Sequence, residues 1–185
     1  MNGRPQRRTD PEYISAMEHF ESMPHEKIYA ETQSIDAAEI LHASSVWLDA
    51  AATLTTTVPI ARGTADQVMN SVGWEGPAAD AAYASTRAFD AAVDELAEVL
   101  AEVGTRLGAV AAAAEAVKLA VPPPGNSGPI AAVARLLETS HVIDAQQARE
   151  ALRQEAVMAM NMIYKPAYTT AGTGVTALPE PLSHP

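Results

Sequence analysis

From Phe89 onward the chain places an apolar or small residue every four and then every three positions: Phe89, Val93, Leu96, Leu100, Val103, Leu107, Val110, Ala114 and Val117. Strict four–three alternation keeps one stripe on one side of a helix, as in a supercoiled helix pair. It predicts a single helix over 77–120, with Pro77 in the first turn, where a missing N–H does no harm. At 1.5 Å per residue such a helix is roughly 65 Å long, against about 40 Å for the width of a compact globule of this chain length. The expected molecule is therefore elongated.

The preceding stretch carries two adjacent stripes. Ala37, Leu41, Ser44, Leu48, Ala51, Thr55 and Val58 form one, and Ile40, Trp47, Leu54, Ala61 and Val68 repeat every seven residues beside it. Together they predict a helix over about 34–72 with a wide buried face. Ser34 is its candidate N-cap, and Pro59 is expected to kink it near 55–59. One of the two stripes exceeds what a two-helix contact can use. The last helices or another chain must cover the remainder.

Shorter elements flank this pair. Asp10 and Pro11 resemble a cap and first turn of a helix ending near Ser22, which Pro24 stops. Val121-Pro122-Pro123-Pro124-Gly125 ends the long helix. Pro129 then opens a helix to about Thr139. Asp144 with Gln147 three residues on has capping-box spacing and starts another, with apolar residues Ala148, Leu152, Ala156, Ala159 and Ile163 and an end at Pro166. The rest, rich in Pro, Gly and Thr, has no period. The domain reading is a disordered terminus over 1–10, a helical domain over 11–165 and a tail or linker over 166–185. The fold class is all-α: an elongated bundle built on a long antiparallel helical hairpin, plus two shorter C-terminal helices.

Composition narrows the function. Only Phe20 and Phe89 are phenylalanines, and much of the apolar content is alanine, which suits close helix contacts. A net charge of −11 argues against a nucleic-acid ligand, which needs local cationic surface. No cysteine is present, so disulfides and thiolate metal sites are excluded. The N-terminus has basic residues without a following apolar core, so no cleavable secretory signal is expected. No apolar run is long enough to predict a membrane span.

No catalytic, cofactor-binding or metal-binding constellation stands out. The histidines (19, 25, 42, 141 and 184) are scattered, without the three or four converging ligands of a structural metal site. Asp90, Asp94, Glu98 and Glu102 share a helix side beside the apolar seam, as a solvated acidic stripe or an electrostatic guide for a basic partner. Met158, Met160 and Met162 cannot all face one way, so some lie outside an internal core or pack on a wide interface.

Between the two long helices stands Gly73-Trp74-Glu75-Gly76-Pro77. The glycines permit a tight reversal, Pro77 starts the next helix, and the indole either caps the hairpin or meets a partner. Trp74-Glu75-Gly76 resembles the WxG motif of the helical-hairpin proteins exported by actinobacterial type VII (ESX) secretion. The order "ASSVWLDAAATL", "GWEGPAADAA", a long Ala-rich helix, "AVPPP" and two further helices is similar to the N-terminal domain of PPE proteins over roughly 20–165. Three departures make the chain PPE-like or EspB-like rather than a member of the named subfamily, the first being Pro59, which is not a usual feature of the corresponding helix. Asp10-Pro11-Glu12 stands nearest to the Pro-Pro-Glu signature. None of the five tyrosines has Asp or Glu four residues later, as the export motif requires.

The resemblance implies a non-enzymatic secretion substrate or component. Trp74, Glu75 and Gly76 would be the secretion motif and Gly73 and Pro77 its turn. Ile40, Trp47, Leu54, Phe89, Leu96, Leu100 and Leu107 would meet the bundle or a partner, either a PE-like protein or a small WxG hairpin that supplies the tyrosine motif. Leu136, Leu137, His141, Val142 and Ile143 would form the tip read by an EspG-like chaperone. The protein would be cytoplasmic before export, then secreted or associated with the cell envelope. Two other roles fit the same residues: the N-terminal targeting module of a longer toxin or effector, and a self-assembling, EspB-like structural or membrane-active bundle.

Overall fold

The structure, a computed structural model, describes residues 8–11, 16–125, 129–140 and 144–180. It is all-α. Among the described residues six α-helices follow in order: α1 (His25–Ser34), α2 (Ala37–Ser71), α3 (Pro77–Ala120), α4 (Pro129–Thr139), α5 (Ala145–Ala159) and α6 (Lys165–Gly172), with a 3₁₀ turn at Phe20–Ser22 and a π-turn at Met160–Tyr164. No strand occurs among the described residues. The chain divides into two compact units, one of residues 1–11, 42–106 and 174–185, the other of residues 12–41 and 107–173.

In the first unit α2 and α3 run antiparallel. The Ser44 hydroxyl donates to the Gly104 carbonyl at 2.7 Å, and Tyr83 donates to Asn70 Oδ1 at 3.1 Å nearer the turn. The contact line follows the expected seam only in part: Val93, Val110, Ala114 and Val117 are buried, while its leucines and Phe89 are not. Its fixed point is Gly104, where an added Cβ would lie 2.8 Å from Leu48 Cγ and 3.1 Å from the Ser44 carbonyl oxygen. Ser44 and Ala51 on α2, and Ala97 and Gly104 on α3, are seven residues apart and all buried. With Ser44 opposite Gly104, antiparallel register brings Ala51 level with Ala97. In the second unit buried Ala37 and Ala111 continue the same spacing. Helices this close exclude large side chains from the line between them, so the large members of the expected seam are displaced. Leu96, Leu100 and Leu107 are only half-buried, and Phe89 is 52% exposed.

Pro59 lies inside α2 without ending it; the helix runs unbroken from Ala37 to Ser71. Pro59 has no N–H for the Thr55 carbonyl. The hydroxyls of Thr53, Thr55 and Thr56 each donate to carbonyls three or four residues back, a pattern that bends helices before a proline. The α2 cap is Asp36, not Ser34: Asp36 Oδ1 accepts from Glu39 N at 2.9 Å, while the Ser34 hydroxyl turns back to Glu31 O.

The second unit is built around Phe20, Ile28, Val117, Val121, Ala156, Ala159 and Met160. The described part of the expected 11–22 helix forms only the 3₁₀ turn. The α-helix comes after Pro24 instead, where the proline carbonyl accepts from Lys27 and Ile28. This α1 docks the end of α3. Buried His25 donates Nε2–H to the Pro122 carbonyl at 2.8 Å, and Gln33 donates to Lys118 O. The α5 capping box forms as its spacing predicts, with Asp144 accepting from Gln147 N at 2.8 Å and Gln147 accepting from Asp144 N at 3.1 Å.

Pro166 does not end that last helical run. The π-turn just before it lets Lys165 N–H reach back five residues to Met160 O, so the ring enters an already widened turn and α6 continues to Gly172. Part of the expected tail is thus helical. Met160 is buried, with the Thr32 hydroxyl 3.6 Å from its sulfur, while Met158 and Met162 are exposed. Tyr164 packs edge-on against Phe20 with ring centroids 5.5 Å apart and stacks on Tyr168 at 4.2 Å.

Two outcomes are expected. Gly104→Val forces two branches into space already held by Leu48 and Ser44 O, and should lower stability by about 2 kcal/mol in denaturant unfolding. The Tyr164 phenol is pushed up to about 12 by burial first and by the nearby carboxylate of Glu18 second. A raised native value holds the proton that the unfolded chain releases above its ordinary 10.0. The stabilisation is thus complete below about pH 10 and lost as pH rises toward 12. Phenolate absorbance measured alongside unfolding across that range should show Tyr164 ionising late, together with loss of structure.

Candidate partner interface

The turn between α2 and α3 is set by two glycines. Gly73 has φ +60° and Gly76 φ +104°, a region that side chains with Cβ disfavour. An added Cβ at either would meet nothing within 4 Å, so backbone conformation, not space, requires glycine there. Gly73 N–H bonds to Asn70 O, and Asp80 N–H reaches Gly76 O to open α3 behind Pro77. None of these bonds involves the indole. Trp74 is 43% exposed, Glu75 is exposed, and Val68 and Val72, one turn apart at the end of α2, are exposed as well. The tip therefore presents a small apolar cluster around a tryptophan that the turn itself does not need.

A second apolar surface lies along one side of the hairpin. Trp47 and Leu54 each follow the seam residues Ser44 and Ala51 by three positions. Leu100 precedes Gly104 by four and Leu96 precedes it by eight. Each offset rotates the same way from the contact line. In an antiparallel helix pair, equal rotation about each axis leads to the same side of the pair. Trp47, Leu54, Phe89, Leu96 and Leu100 therefore border one face of the first unit, with Trp47 and Phe89 exposed and the others half-buried. In the second unit Ile40 and Leu107, both half-buried, hold the equivalent positions. Five of the seven sequence-predicted interface residues thus come together on one face, and the same offsets that displace them from the seam put them there.

The predicted chaperone tip divides. Leu136 and Leu137, near the end of α4, are exposed, with exposed Val133 one turn before Leu137. His141, Val142 and Ile143 lie outside the described residues. Val133 was legible: it shares the four-residue spacing of Leu137 on an amphipathic helix. The acidic stripe is not uniform either, because Glu102 is taken up by Arg106 at 2.6 Å and by the Thr176 hydroxyl at 2.7 Å. Among the described residues no group of three or more His, Asp or Glu side chains is placed to hold a metal ion. Nor is any helix long and apolar enough to cross a membrane.

Phe89→Glu tests whether the hairpin face is open. A side chain this exposed has few internal contacts to lose, so unfolding should stay within about 1 kcal/mol of the parent. Binding of a fluorescent apolar dye should fall measurably. Comparison with models of known protein families finds no match to this chain, and comparison with curated proteins finds none.

Proposed function

We propose that this protein is a non-enzymatic substrate or component of a type VII (ESX) secretion system, working through helix–helix contacts. The observation that carries the reading is Trp74. It stands exposed between Gly73 and Gly76 at the tip of a long hairpin whose turn is made by the glycines. A buried aromatic that merely closed the hairpin would be covered by it. The apolar face bordered by Trp47, Phe89, Leu96 and Leu100 is the surface offered to a PE-like protein or a small WxG hairpin. Small residues bring α2 and α3 close, which leaves the larger apolar side chains to pack against added helices. That partner supplies the Tyr-x-x-x-Asp/Glu element that this sequence lacks. Leu136 and Leu137 contribute to recognition by an EspG-like chaperone in the cytoplasm, before the chain is secreted or reaches the cell envelope.

The test is one variant measured two ways. Trp74→Ala should unfold within about 1 kcal/mol of the parent, because the residue is exposed at the turn and the turn is made by the glycines. Its export from a host with an intact type VII system should fail. Normal folding with normal export would overturn the reading.

A further inference from the structure

We infer that residues 8–11 and 174–180 form a releasable strap that closes a second face of α3, on the side away from α2. Beyond α6 the chain turns at Gly174, φ +62°, and runs along α3. Arg106 donates to the Gly174 carbonyl at 3.1 Å, and Thr176 donates its hydroxyl to Glu102 Oε2 at 2.7 Å. Glu102 and Arg106 are held together by two bonds, so the strap closes a three-part polar clasp. The N-terminal segment then pairs with it. Asp10 N–H donates to Val175 O and Ala177 N–H to Arg8 O, both at 2.9 Å, around an antiparallel bridge between Thr9 and Thr176. An Arg8–Glu180 ion pair lies at the exposed edge.

What the strap covers is apolar. Val99 is 1% exposed, one of the largest fully buried side chains among the described residues. It follows Ala97 by two residues, roughly 200° round the helix at 3.6 residues per turn. It thus lies away from the seam that α2 fills. Glu102 and Arg106 follow it by three and seven residues and share its side. In this unit α2 is spent on the opposite face, so among the described residues the segments left to cover Val99 are 174–180, bonded to Glu102 and Arg106, and 8–11, paired with it.

The strap is also weakly held. Its anchors are a few polar contacts at half-exposed or exposed residues, and Leu178 is exposed. Segments with few buried apolar contacts open locally, without global unfolding. Opening would bare Val99 beside a carboxylate and a guanidinium. The chain's own extended segment is thus the occupant of this face, and access to it is regulated by the strap. None of this rests on the export reading.

The absence of cysteine permits a direct test. V99C in the full chain places a single thiol, of nearly the size of valine, under the strap, and A97C places one in the α2–α3 seam. Thr176→Glu sets a second carboxylate against Glu102 and should open the strap; Thr176→Ser keeps the hydroxyl and should not. The expected result is that T176E speeds labelling of V99C by a thiol reagent at least tenfold. T176S should stay within about twofold of the parent, and A97C should not respond. Unchanged V99C labelling in T176E, or equal acceleration in A97C, would overturn the inference. If V99C does not fold, amide exchange of Asp10 and Ala177 on the cysteine-free background decides instead: faster exchange in T176E than in T176S supports the strap, and equal exchange refutes it.

Discussion

The approach of α2 to α3 at Gly104 is the constraint from which the first unit follows. A hydroxyl-to-carbonyl bond from Ser44 to Gly104 requires the two backbones to come close enough that even one added methyl would touch Leu48 and the Ser44 carbonyl. Small residues suit such a line, and Ser44 and Ala51 on α2 and Ala97 and Gly104 on α3 are buried at seven-residue spacing. Alanine richness is therefore a geometric requirement here, not a filler. It also shifts the burden of stability. Small residues bury little apolar area each, so a seam made of them contributes less hydrophobic free energy per residue than a leucine seam.

The side chains displaced from the seam account for the candidate interface. Leu96, Leu100 and Phe89 cannot sit between helices this close, and so they rotate to one flank, where Trp47 and Leu54 already lie. The result is a hairpin that is closed along its middle and open along one side. On the far side of α3, by contrast, Val99 is fully covered and Glu102 and Arg106 are engaged. The two sides of the same helix pair are thus treated differently. One flank keeps its apolar residues accessible, whereas at the back of α3 Glu102 and Arg106 bond to Thr176 and Gly174.

The second unit solves a different problem, which is how to stop a helix of 44 residues and bring the chain back. Prolines end it, but they also leave carbonyls without helical donors. His25, at the start of α1, meets one of these at Pro122 within the core, so the stop and the docking of α1 are a single interaction. The π-turn at Met160–Tyr164 does the corresponding work later, widening the helix so that Pro166 can be passed and Tyr164 can reach Phe20 and Tyr168.

Much of this was legible from the chain alone, because it depends on local rules. The bounds of α3, the turn at Gly73–Pro77, the Asp144–Gln147 box and the all-α class follow from periodicity, φ preferences and capping, which act over a few residues. The periodicity of Phe89, Leu96 and Leu100 correctly placed them on one side of a helix, yet it could not show which side of that stripe would face α2. Interhelical distance decided that, and distance is set jointly by Ser44 and Gly104, sixty positions apart. The same limit explains Ser34, whose hydroxyl is taken up by the end of α1 while Asp36 caps α2, and Pro166, whose effect depended on a π-turn with no sequence signal of its own. The pairing of Thr9 with Thr176 and of Thr176 with Glu102 lay beyond local reading altogether, since these residues are distant in the chain. Sequence by itself determined the elements and their apolar stripes; the tertiary structure alone decided which stripe is buried, because burial depends on the distance between backbones that local patterns do not encode.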